Sequence, residues 1–170
     1  MPSSCLPSWG VEVARAAAAY GAADHQPAAD LIMATPDRDI VTTLPGPVTG
    51  RSLWAAPWTP DLSVAQADSR VRPEVVWAAL DCPSGIAAAE AAGLAPDTAI
   101  LLGQMTASLA ALPTAGDQCR VMAWPEGRDG RKLTAGSALL GPGGQVLAAA
   151  MTVWLTVPRS PTEPVCSSPR

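Results

Sequence analysis

One long helix laid against a single antiparallel sheet, an α+β layer, is the fold class this sequence predicts. Three observations lead there. Residues 71–94, "VRPEVVWAALDCPSGIAAAEAAGL", form an apolar stretch of helical length opened by Pro73. Two glycine turns, "GRDG" at 127–130 and "GPGG" at 141–144, separate strand-like runs in succession, and glycine supplies the positive φ angles that tight hairpins require. The last run, 147–157, is continuously apolar and suits a strand buried on both faces. A helix and an antiparallel sheet each bury one face against the other.

Taken in order, residues 1–45 are rich in alanine and give a weak helix near 11–22 and a short strand at 39–44. "RSLWAAPW" at 51–58 is the next strand, with Pro57 marking an edge or a bulge. A polar connection, 59–70, leads to the helix. There Pro73 suits the first helical position, since its missing N–H would be unpaired anyway, and Glu74 sits against the positive end of the helix dipole. Strands follow at 98–112, 118–126, 131–140 and 145–157. The tail after residue 157, rich in proline and serine, has the composition of a disordered segment.

Composition bounds the function. A chain of 170 residues makes one domain with a real core. Only 15% of its residues are charged and 48% are hydrophobic, against roughly 25% charged in ordinary globular chains, so part of its surface is expected to lie in an oligomer interface. With a net charge of −4 and no block of like charges, nucleic acid and anionic membranes are not expected partners. Cys5, Cys82, Cys119 and Cys166 form no CxxC pair, which argues against zinc. The N-terminus lacks a basic leader, and no apolar run reaches the roughly 18 residues of a membrane span. A reduced, cytoplasmic protein is the expectation.

The helix "VVWAALDCPSG" and the ordered pattern that follows it, "LLGQMT", "GDQCRVMAW", "GRKLTAGSALL" and "GGQVLAAAMTVWLTV", resemble the hotdog-fold thioesterase-like proteins of high-GC bacteria over residues 46–157. The resemblance implies a central helix wrapped by an antiparallel sheet. It also implies homodimers or dimers of dimers, active sites between subunits, and cleavage of acyl-CoA or acyl-carrier thioesters without metal or cofactor. Many such enzymes open the helix with His-Gly-Gly nine residues before a helix aspartate; here Arg72-Pro73-Glu74 stands in that place, and Pro73 has no N–H to offer a thioester oxygen.

Asp81 is the candidate catalytic residue. It is the only charge between Glu74 and Glu90, and Pro83 and Gly85 follow it. Glu74, Trp77, Asp81, Ser84 and Ala88 share one side of a helix, and Val75, Ala79, Cys82, Ile86 and Ala89 share another. The second set is expected against the sheet and the first along a cleft. A carboxyl in such a cleft has its pKa raised by desolvation, which suits a general base or nucleophile near neutral pH. The other reading is an N-cap for a helix that restarts at Pro83.

Around Asp81, Glu74, Trp77, Ser84, Gln104 and Thr106 are candidate substrate contacts, each with an ordinary structural reading as well. Arg128, Arg131 and Lys132 suit the phosphates of coenzyme A, or a solvated hairpin tip. The single histidine, His25, lies outside the resemblance, and no GxSxG elbow or glycine-rich phosphate loop occurs. Hydro-lyase and Ser-His-Asp chemistry are therefore disfavoured. The remaining alternatives are a dimer that binds acyl groups without turnover and a structural interaction domain.

Overall fold

The computed structural model describes residues 45–95 and 97–158. The helix expected near 11–22, the strand at 39–44, His25 and most of the tail lie outside them. Six strands and one long helix make up the rest: β1 (Gly46–Pro47), β2 (Trp54–Trp58), α1 (Pro73–Ala92), β3 (Thr98–Leu109), β4 (Cys119–Asp129), β5 (Lys132–Leu140) and β6 (Val146–Pro158). All pairings are antiparallel, in the order β1-β2-β4-β5-β6-β3. The expected α+β arrangement of one helix on one sheet is what the chain forms.

Local chemistry sets each boundary. Arg72 is extended and Pro73 occupies the first helical position. At the other end Gly93 turns left-handed at φ 57. Its N–H bonds the Glu90 carbonyl and the Leu94 N–H bonds that of Ala89, the paired bonds of a glycine-terminated helix. A short 3-10 turn, Leu62–Val64, precedes α1 and is capped by Asp61, whose Oδ1 accepts the Ser63 N–H at 2.8 Å. β1 reaches only Trp54 and Ala55, so β2 is an open edge at Pro57, where a missing N–H costs nothing. β4 runs three residues past its expected end, because a bulge between Pro125 and Gly127 absorbs the proline and lets pairing resume to Asp129.

The core lies between α1 and the concave face of the sheet, where Val75, Val76, Ala79 and Leu80 pack on Val121, Leu139, Ala148 and Ala150. A fully buried side chain such as Leu80 contributes about 1.5–3 kcal/mol. A second cluster, with Met122, Leu140, Leu53 and Val48, covers part of the opposite face. Accordingly β6 is buried on both faces only over Leu147–Ala150; beyond it Met151, Val153 and Leu155 are half-buried while Thr152, Trp154 and Thr156 stay inside. The expectation for the whole run 147–157 was too broad, because the second cluster stops short of that end.

Candidate active site on the helix flank

The sheet-facing stripe of α1 runs through Val76, Leu80 and Ala87, with Ala79, Ser84 and Ala88 at its margins, all at most 3% exposed. It falls between the two sets read from the sequence. Cys82, expected on the sheet, is exposed. Ser84 and Ala88, expected to line a cleft, are buried. The helix is apolar all round, so no polar stripe marks its solvent side.

Asp81 sits on the flank beside that stripe, half-buried. Among the described residues its Oδ1 is enclosed without a hydrogen-bond partner, and neither ion pair involves it. Burial raises its pKa, because a carboxylate loses hydration there without gaining a donor. The N-cap reading does not describe the side chain, since α1 is continuous from Pro73 to Ala92. Next to Asp81, burial and then the Asp81 charge raise the Cys82 thiol pKa.

Hydroxyls add ties to the backbone in this part of α1. Pro83 brings no N–H, and Ser84 Oγ donates to the Asp81 carbonyl at 2.7 Å. From β5, Ser137 Oγ donates to the Leu80 carbonyl at 2.8 Å. Trp154 Nε1 on β6 lies 3.1 Å from both Ser84 Oγ and Thr152 Oγ1. The Thr152 hydroxyl is 3.0 Å from Ser84 Oγ and 3.1 Å from the Ala135 carbonyl, and its single proton serves one of them. The Trp154 ring lies so close to α1 that a Cβ at residue 85 would fall 2.8 Å from it, which explains Gly85. Sequence reasoning missed Ser137, Thr152 and Trp154; the only signal was that they are polar-tipped residues within largely apolar strands.

The remaining candidates are scattered. Trp77 is 37% exposed on the Asp81 side of the helix. Glu74 is exposed beside Arg72, at 3.7 Å. The N–H groups of Val75 and Val76 both bond the Arg72 carbonyl, so Glu74 holds the one N–H at the helix start without a partner among the described residues. It is about 10 Å along the axis from Asp81, seven residues at ~1.5 Å each. Gln104 and Thr106 pair with Val153 and Met151. They therefore point away from α1, while Met105 packs beneath it. Gln104, Arg128 and Lys132 meet in a groove of about 490 Å³ with Asp129, Thr134 and Leu155, on the sheet face opposite the helix. Arg131 is exposed at the β4–β5 turn and does not line that groove.

At the sheet margin β3 has, among the described residues, a neighbour on one side only, and it exposes Leu101 and Leu102 (58% and 39%). No group of three metal-ligating side chains occurs among the described residues, and no described helix is long and apolar enough to cross a membrane.

No family model matches the chain, and no curated protein matches it in sequence. Solved structures do resemble it. A Streptococcus mutans protein, smu.793, solved bound to acetyl-CoA, superposes with a TM-score of 0.60 at 8% identity, over 73% of this chain and 95% of that one. A hypothetical thioesterase from Streptococcus pneumoniae, solved with coenzyme A, gives 0.56 at 9% identity, over 64% and 81%. The Escherichia coli PaaI protein, from the phenylacetic acid degradation operon, gives 0.54 at 12%, over 61% and 75%. The shared architecture is the hotdog fold.

Proposed function

We propose that this hotdog-fold chain is a thioesterase-like hydrolase that cleaves acyl-CoA or acyl-carrier thioesters, with Asp81 as general base or nucleophile. The observation that carries the reading is the enclosed, partnerless Asp81 oxygen on an otherwise apolar helix flank, in a fold shared with proteins solved with coenzyme A or acetyl-CoA. A buried acceptor without a donor is costly. A water molecule at the carboxylate's other oxygen would be held and deprotonated as its own oxygen attacks the thioester carbonyl. The C–S bond then breaks, and the proton passes to the leaving sulfur, giving a carboxylic acid and a free thiol.

The pocket needs two copies of the chain. A single thioester carbonyl does not span the ~10 Å between Glu74 N–H and Asp81 on one helix, so the polarising donor and the base come from different protomers. The open edge of β3, with Leu101 and Leu102, is the surface proposed for the homodimer; dimers of dimers would use other surfaces. Trp77 would wall the acyl site, and Gln104, Thr106 and Glu74 would contact substrate. Arg128, Arg131 and Lys132, at the β4–β5 turn, would meet phosphates. Ser84 serves the site from within, as a tie on the Asp81 backbone. Free thiols at Cys82 and Cys119 suit the cytoplasm.

Pro73 favours one other reading, a dimer that binds acyl groups without turnover, because it removes a donor from the helix start. Hydrolysis of a panel of acyl-CoA thioesters, short, long and aromatic, by the wild type and Asp81→Asn separates them. A folded Asp81→Asn variant slower by on the order of a hundredfold supports the base. Full activity in that variant would end the Asp81 assignment, and no turnover by the wild type would leave the binding module.

A further inference from the structure

We infer that Trp154, Thr152 and Ser84 form a positioning device that fixes the aim of the Asp81 carboxylate from the sheet. The inference rests on Asp81 as the reacting group, and adds to it the residues that hold it. The connection is short and continuous. The Trp154 indole N–H donates to Ser84 Oγ at 3.1 Å, and Ser84 Oγ donates onward to the Asp81 carbonyl at 2.7 Å. Thr152 Oγ1 lies 3.0 Å from Ser84 Oγ and 3.1 Å from Trp154 Nε1, as a second acceptor for the one indole proton. Ser84, Thr152 and Trp154 are 0%, 1% and 8% exposed, so water does not compete for these bonds.

A plain core would not need this arrangement. Polar groups this deep are costly unless every one is partnered, and valine, alanine and phenylalanine would fill the same space. Their placement is also specific. Ser84 lies directly after Pro83, the residue that cannot donate to the Ala79 carbonyl, so the helix is least tied by its own bonds beside Asp81. Ser137 holds the Leu80 carbonyl from β5 in the same way. Two adjacent carbonyls, those of residues 80 and 81, are thus bonded by hydroxyls. Gly85 lets the Trp154 ring reach the helix backbone. The Asp81 side chain takes no bond from the set, and its enclosed Oδ1 has no donor among the described residues: the backbone is fixed while the carboxylate is left free to react.

Trp154, Thr152 and Ser84 are positioning residues, and the test reads Asp81 directly. The side-chain carboxyl resonance of Asp81 is followed in full-length protein labelled with ¹³C-aspartate, assigned by its loss in Asp81→Asn. Ser84→Ala, Trp154→Phe and Thr152→Val are each expected to move that resonance, and Thr152→Ser to restore it. Met122→Ala truncates the cluster on the opposite face of the sheet; it is expected to lower the melting temperature and leave the resonance in place. In the thioester assay the three network variants should lose on the order of tenfold or more in kcat with little change in KM. If Ser84→Ala fails to fold, Trp154→Phe, which keeps an aromatic ring but no N–H, carries the test. An unmoved resonance in the folded variants, or an equal movement in Met122→Ala, overturns the inference. Absence of turnover in the wild type sinks the hydrolase reading instead, while the resonance still decides whether the network sets Asp81.

Discussion

Replacing Gly85 by alanine tests how closely α1 is held to β6, because two effects of opposite sign meet at this residue. In an unconstrained helix interior the change stabilises by about 1 kcal/mol. Here the new Cβ would lie 2.8 Å from Trp154 Cζ2 and 3.0 Å from Cε2 and Cη2, so the ring or the helix must shift. Overpacking of this kind costs about 1–3 kcal/mol. Moving the ring also strains the N–H bonds to Ser84 and Thr152, worth about 1 kcal/mol. The net expectation is a loss of about 2 kcal/mol, or a fall in Tm of roughly 4–8 °C for a chain of this size. Urea unfolding and calorimetry at one protein concentration read it. A variant more stable by ~1 kcal/mol would show that helix propensity wins, and that Trp154 does not hold α1 as described.

Three further outcomes follow from the same geometry. The Asp81 pKa is raised above its ordinary 3.8; the folded state then binds the proton more tightly, and stability falls as pH rises from 3.8 through the folded value. Asp81→Asn should be more stable than wild type at pH 7, with the gain vanishing near pH 4; a constant difference across that window in urea melts would contradict it. The same substitution removes a charge that raises the pKa of exposed Cys82, so alkylation of Cys82 at fixed pH near 8 should speed up, as mass spectrometry can follow. Cys119, buried with its pKa pushed up to about 11, should stay unmodified in the native protein. Leu101→Glu places a charge on the open strand edge and should shift the protein toward monomer in sedimentation; an unchanged oligomer would move the interface elsewhere.

The parts of this fold legible in the sequence were those written by local chemistry. Pro73 marks the helix start to the residue, the 141–144 turn separates β5 from β6 as expected, and of the turn expected at 127–130 only Gly130 lies between β4 and β5. Non-local pairing was not legible: nothing in "TAILLGQMTASL" says that β3 crosses to the far side of β6. The site divided in the same way. Asp81 stood out because a lone charge in an apolar helix is visible in one dimension. The orientation of the helix was not, since a stripe through Val76, Leu80 and Ala87 looks no more hydrophobic than its flanks. Ser84 was therefore assigned to the cleft when it faces the sheet. Gln104 and Thr106 were set by the register of β3 against β6, which the bulge between Leu102 and Gln104 shifts by one residue.

The position of β3 also fixes an order of events during synthesis. Its one partner among the described residues, β6, begins at Val146, 37 residues after Leu109. At about 5–20 residues per second, translation leaves β3 without that partner for roughly two to seven seconds. Over that interval a twelve-residue strand carrying Ile100, Leu101 and Leu102 is open along both margins and exposed to wrong partners. The sheet therefore closes last at β6, and nascent chains arrested before Val146 should remain open to protease where longer ones resist it.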